Sequence, residues 1–108
     1  MAFDFELSAR LQTALKNQPV IEKRMFGGLA ILLNGNMLVG VHGNNLIARV
    51  GSGNYEACLL RPHTKPFDMT GRPMSGWVEV LPPGLKEDRE LHEWISLCIE
   101  YNKSLPPR

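Results

Sequence analysis

Few cysteines, no long apolar run and no excess of either charge are the first things to note in this chain. It holds two cysteines in 108 residues. A secreted domain of this size usually carries more, in pairs, so a disulfide framework is not expected. Cys58 and Cys98 each sit among apolar neighbours and read as reduced core thiols. The longest largely apolar stretch, Leu29 to Leu33, is far shorter than the ~20 residues a membrane-spanning helix needs. The first residues, Met1-Ala2-Phe3-Asp4-Phe5-Glu6, have no basic start and no apolar h-region, so a signal peptide is not expected and the cytoplasm is the default compartment. Formal net charge is +1. The acids gather in the C-terminal third and the middle is mildly basic. A dedicated DNA-binding domain shows a stronger basic stripe than this.

Chemistry-bearing constellations are also sparse. His42, His63 and His92 are scattered, and Cys58 with His63 matches no common zinc spacing. Ser52 in Gly51-Ser52-Gly53 lacks the flanks of a nucleophile elbow and reads as a helix cap. Gly51 and Gly53 lack the third glycine of a dinucleotide loop, since Glu56 stands there. Glu87 and Asp88 suit a helix dipole rather than a catalytic dyad. No catalytic residue, metal ligand or cofactor site is assigned, and the chain is not expected to be an enzyme.

What is present argues a fold. A 44% hydrophobic content suffices for one core, and the length suits one domain over 1–108. Leu7, Leu11, Ala14 and Leu15 recur at helical spacing, behind Asp4 as cap and ahead of Pro19 as stop. Val20–Arg24, Leu29–Leu33, Met37–Val41 and Leu46–Val50 read as strands. Asn34-Gly35 and His42-Gly43-Asn44-Asn45 mark tight turns between them, and Gly27-Gly28 a bulge or corner. Short connections imply an antiparallel meander. A short helix, Tyr55–Leu60, follows. Residues 61–76, rich in proline and glycine, read as one long irregular loop. Trp77–Leu81 reads as a strand. Glu87–Lys103 reads as a helix with Leu91, Trp94, Ile95 and Cys98 on one face. The order α, three or four strands, α, one or two strands, α predicts an α+β two-layer sandwich with the helices on one face of an antiparallel sheet.

The 61–76 segment offers Arg61, His63, Lys65 and Arg72 beside Phe67 and Met69, with Arg49 as a further cation. Guanidinium and ammonium groups near an aromatic suit phosphates and stacked bases. The alternative is that Phe67 and Met69 pin the segment to the core while the charges are solvated. The favoured reading is a protein-interaction module, its partner another protein or a second copy of the chain. A nucleic-acid-binding module built on residues 61–72 is the alternative.

Lys23-Arg24-Met25-Phe26-Gly27-Gly28, Asn34-Gly35-Asn36-Met37, Leu46 to Arg49, Pro66-Phe67 and Trp77 to Val80 together resemble the TfoX N-terminal domain family (TfoX/Sxy). The resemblance covers about residues 8–102. It implies a bacterial, non-catalytic domain with a sandwich similar to secretion-chaperone-like folds. Its best-known members regulate natural competence alongside the cyclic-AMP receptor protein and carry a second, DNA-binding-like domain. This chain looks like the stand-alone members. The resemblance marks Arg24, Phe26, Gly27 and Gly28. Phe26 reads as core, and Arg24 as a partner of Glu22 or Glu79 or as part of a docking surface.

Overall fold

Short connections dictate most of the sheet. The computed structural model describes residues 4–25, 27–68 and 71–108. β1 (Val20–Met25) and β2 (Gly28–Leu33) meet with Met25 opposite Gly28. β3 (Asn36–His42) follows across Asn34-Gly35, and β4 (Asn45–Arg49) across Gly43-Asn44. Connections this short force antiparallel neighbours. Asn34 (φ 56°) and Gly35 (φ 80°) both take the left-handed values that an Asn-Gly turn requires.

α1 (Phe5–Ala14) precedes the sheet and α2 (Ser52–Leu59) follows β4. β5 (Thr64–Asp68) and β6 (Pro73–Val80) come next, and a short 3-10 turn leads into α3 (Asp88–Lys103). The expected element order holds. The strand order is β1-β2-β3-β4-β6-β5, antiparallel throughout. It departs from a simple meander once, because β6 inserts between β4 and β5. The connection through α2 is long enough to carry the chain past the vacant position beside β4.

Residues 61–76 are therefore not one irregular loop: they hold β5 and the first half of β6. Pro66 and Pro73 disguised them. Proline is tolerated on an edge strand, where Pro66 lies, and at a strand's first residue, where Pro73 lies. The core roles read for Phe26 and Met69 fall outside the described residues.

Register places the core. Leu29, Val41, Leu46 and Val80 form one row across four strands, and Ile31, Val39, Ala48 and Val78 the next. Both rows pack against Leu7, Leu11 and Leu15 from the α1 segment, Cys58 of α2, and Leu91, Trp94, Ile95 and Cys98 of α3. All three helices thus cover one face. Asp4 caps α1, its Oδ1 accepting from the N–H groups of Glu6 (2.8 Å) and Leu7 (3.3 Å). Ser52 is not the cap of α2. Gly51 holds that position with no side-chain cap, at φ 90° and ψ 155°, which only glycine adopts without strain.

Both cysteines are free and buried. Burial pushes both thiols above their ordinary range, Cys98 furthest, while the Arg61 charge partly offsets the rise at Cys58. A buried thiol must stay protonated, whereas an unfolded one ionises near pH 8.5. The folded state then binds more protons above that pH, so stability is full below it and falls as pH rises. Denaturant melts from pH 7 to 10 should show that decline, and Cys98→Ala should flatten it. Native protein should resist thiol reagents that label both sites once unfolded.

Among the described residues, no helix is long and apolar enough to cross a membrane, and no cluster of three or more His, Cys, Asp or Glu side chains is placed to hold a metal.

Candidate functional site

The same register puts a second row on the helix-free face. Lys65 of β5 lies opposite Glu79 of β6, Glu79 opposite Ile47, Ile47 opposite Gly40, and Gly40 opposite Ala30. Without a helix above them these residues ought to be wet, yet Ile47 and Ala30 are fully buried and Glu79 is 5% exposed.

The β5–β6 hairpin reaches this face. Pro66 pairs with Val78, but Asp68 pairs with Pro73, so one residue of β5 faces four of β6. A bulge of this size bends the strands that carry it. Gly76, at φ 91°, sits inside it. The bend buries Phe67 (2% exposed), whose ring stands edge-on to His42 at 6.1 Å and tilted toward Trp77 at 6.3 Å. Asp68 and Pro73 at the hairpin's end border the same hollow as Gly27 and the Gly43-Asn44 turn. The hollow has a volume of about 760 Å³, and His42, Asn45, Lys65 and Glu79 also line it.

Glu79 is its chemical centre. A buried carboxylate must be hydrogen-bonded to be tolerated. The Oε2 atom accepts from Asn45 Nδ2 at 2.7 Å and lies 3.4 Å from His42 Nδ1. His42 and Asn45 face each other across the β3–β4 turn, so one hairpin end presents both groups. Among the described residues no donor reaches Oε1, and Lys65 forms no ion pair. With His42 neutral, Glu79 and Asp68 outweigh Lys65 by one negative charge.

The residues singled out from sequence scatter. Lys65 lines this hollow, and Phe67 is buried next to it, its ring against that of the lining residue His42. Arg61 turns the other way: it donates to Glu93 Oε1 at 2.8 Å and stacks 4.4 Å over the Trp94 ring. The Arg49 guanidinium lies 4.9 Å from the Trp77 ring and 5.6 Å from that of Tyr101. His63 (φ 63°) turns the chain from α2 into β5, and its carbonyl accepts from the Leu81 N–H at 2.8 Å. Arg72 is exposed between β5 and β6, and Arg24 is exposed on edge strand β1. Of the acids considered for Arg24, Glu22 accepts from Gln12 at 2.7 Å and Glu79 from Asn45 at 2.7 Å. The sequence reading missed His42, Asn45 and Glu79. The available signal was a lone acid inside the strand Trp77-Val78-Glu79-Val80.

No curated protein and no solved structure matches this chain. The TfoX N-terminal domain matches it over residues 12–101, from within α1 to near the end of α3, and takes in every strand and the whole hollow. The chain belongs to the TfoX N-terminal domain family.

Proposed function

We propose that the chain is a non-catalytic regulatory domain that works by binding another protein, in the setting of transcription or competence control. Its contact surface is the helix-free face, and the hollow over Glu79 receives a cationic side chain of the partner. The observation that carries this reading is the buried Glu79 carboxylate at the hollow, with one oxygen held and, among the described residues, no donor on the other. A charge already desolvated and fixed forms a strong charge-assisted hydrogen bond when a cation arrives. Arginine fits better than lysine, because its flat guanidinium bonds carboxylates side-on and stacks on aromatic rings. The His42 ring stands beside the carboxylate.

The nucleic-acid reading loses support by the same geometry. Arg61 and Arg49, which would have met phosphates, are engaged with Glu93, Trp94, Trp77 and Tyr101.

Titration with N-acetyl-arginine amide, followed by amide NMR, tests the proposal. The resonances of His42, Asn45, Lys65 and Glu79 should move together, with N-acetyl-glutamate amide as the silent control. In Glu79→Gln the shifts should vanish while the fold persists, since glutamine keeps the volume. Shifts that spread over unrelated surfaces, or that survive in Glu79→Gln, would refute the site. Heparin and mixed-sequence DNA should show no salt-dependent binding, and Arg61→Ala/Arg72→Ala should change nothing there. Steep salt-dependent binding lost in that variant would restore the nucleic-acid reading.

A further inference from the structure

A half-buried cation without a counter-ion stands at the end of β4. Arg49 lies directly opposite Trp77 of β6, so their side chains leave the same side of the sheet. The guanidinium carbon sits 4.9 Å from the centre of the Trp77 ring and 5.6 Å from that of Tyr101 on α3. Phe67 lies against Trp77 in turn, so the nearer ring is itself held.

Other arginines of the chain have acids. Arg10 pairs with Asp88, Arg61 with Glu93 and Arg89 with Glu87. Among the described residues, the Arg49 guanidinium has neither a carboxylate partner nor a hydrogen-bond acceptor. Its nitrogens are not sealed from water, because Asn102 Oδ1 is the one buried side-chain polar atom without a partner among the described residues. The register does offer an acid. Glu79 stands two residues from Trp77 on the same face, but Asn45 and His42 hold its carboxylate at the other end of β4.

A partly buried charge loses hydration, and here no ion pair returns it. The two rings offset some of that loss and restrict the guanidinium, but they supply no oxygen to its N–H donors. A restrained, unspent guanidinium is already arranged for a flat oxyanion, which it binds through two parallel N–H···O bonds.

We propose that Arg49 receives an aspartate or glutamate side chain of the protein partner. The partner then brings opposite charges to one face: a cation to the hollow over Glu79 and a carboxylate to Arg49 beside Trp77. That the carboxylate belongs to a protein rests on the function proposed above, whereas the anion site itself does not. A nucleic-acid backbone asks for several cations along a track. Arg61 is spent on Glu93, and Glu79 and Asp68 add negative charge in the neighbouring hollow.

Titration with N-acetyl-glutamate amide, followed at the Arg49 side-chain Nε–H and the Trp77 indole N–H in NMR spectra, tests the proposal. Probe concentrations should reach about 200 mM, since one ion pair at a surface holds in the millimolar range or weaker. Both resonances should move and saturate, while N-acetyl-glutamine amide and matched sodium chloride leave them in place. Arg49→Lys keeps the charge but loses the fork, and should weaken the Trp77 response by roughly ten-fold. Its amide spectrum shows whether the fold persists, and the wild-type titration stands without it. Each proposal can fail alone in one wild-type sample. N-acetyl-arginine amide reads His42 and Asn45, and N-acetyl-glutamate amide reads Arg49 and Trp77. No movement of Arg49, a response that sodium chloride reproduces, a response undiminished in folded Arg49→Lys, or one given by inorganic phosphate and not by the carboxylate would overturn the proposal.

Discussion

Gly51→Ala should cost about 3–5 kcal/mol of folding stability, from two causes that add at one atom. The first is conformational. Gly51 holds φ 90° and ψ 155°, a region almost closed to residues with a side chain. The second is steric. A Cβ there would fall 2.6 Å from Cε1 of Tyr101 and closer still to Cδ1. Tyr101 lies near the end of α3, so the clash would push the last turn of that helix from the end of β4. The backbone cannot easily slide away. The Gly76 carbonyl accepts from both Val50 (2.9 Å) and Gly51 (3.1 Å), and Gly76 is itself packed against the Gly51 backbone.

For a chain of this length the penalty lowers the melting temperature by roughly 15–25 °C. The two causes separate in a double-mutant cycle. Tyr101→Ala removes the ring, so Gly51→Ala/Tyr101→Ala should cost less than the sum of the single changes, by about 1–2 kcal/mol. The strain of the backbone should remain. A Gly51→Ala variant within about 1 kcal/mol of wild type would mean that the substituted residue finds another conformation, and that the contact of β4 with the β6 bulge does not fix this corner.

The same corner shows what sequence alone could convey. Turns whose chemistry is local were legible: Asn34-Gly35 announces left-handed values, and His42 to Asn45 closes the next hairpin. The face of α3 was legible because Leu91, Trp94, Ile95 and Cys98 recur at helical spacing. Ser52 was misread because a glycine cap answers to a distant tyrosine, not to its neighbours. β5 was hidden because Pro66 and Pro73 are permitted only by its place at the sheet edge, and edge position is a long-range property. Nothing between residues 50 and 73 encodes that β6 enters beside β4.

The candidate site was less legible for the same reason. Lys65 and Phe67 stood out by type, but His42, Asn45 and Glu79 come together only after two hairpins have folded and one has bent. Glu79 sits at an alternating strand position that normally faces water. Its burial follows from the bulge, and the bulge from Gly76 and Phe67. Arg61 looked like a free cation because the acid and the ring that occupy it lie far downstream on α3.

Phe67→Ala should therefore affect stability and binding together. Removing a buried phenylalanine costs about 3–5 kcal/mol through lost transfer energy and the cavity left behind. Here the loss is directed. Phe67 is the one side chain of the bulged stretch of β5 that is buried. It contacts His42 at the end of β3 and Trp77 on β6. Without it the end of the hairpin should loosen and Glu79 should meet water. The His42 ring protons should shift in NMR spectra as the neighbouring ring current disappears. Amide exchange should quicken along β5 and the first half of β6 before it quickens in β2 and β3. At temperatures where the variant stays folded, N-acetyl-arginine amide should no longer move the resonances of Asn45 and Glu79, because a solvated carboxylate holds a cation weakly. Phe67→Leu, which keeps most of the apolar volume, should cost no more than about 1–1.5 kcal/mol and retain the response. If Phe67→Ala loses stability evenly through the sheet yet still binds the probe, the phenylalanine is ordinary core and the hollow does not depend on the folded-back hairpin. If binding fails while β2 and β3 keep their protection, the residue first read as a partner contact instead shapes the site from beneath.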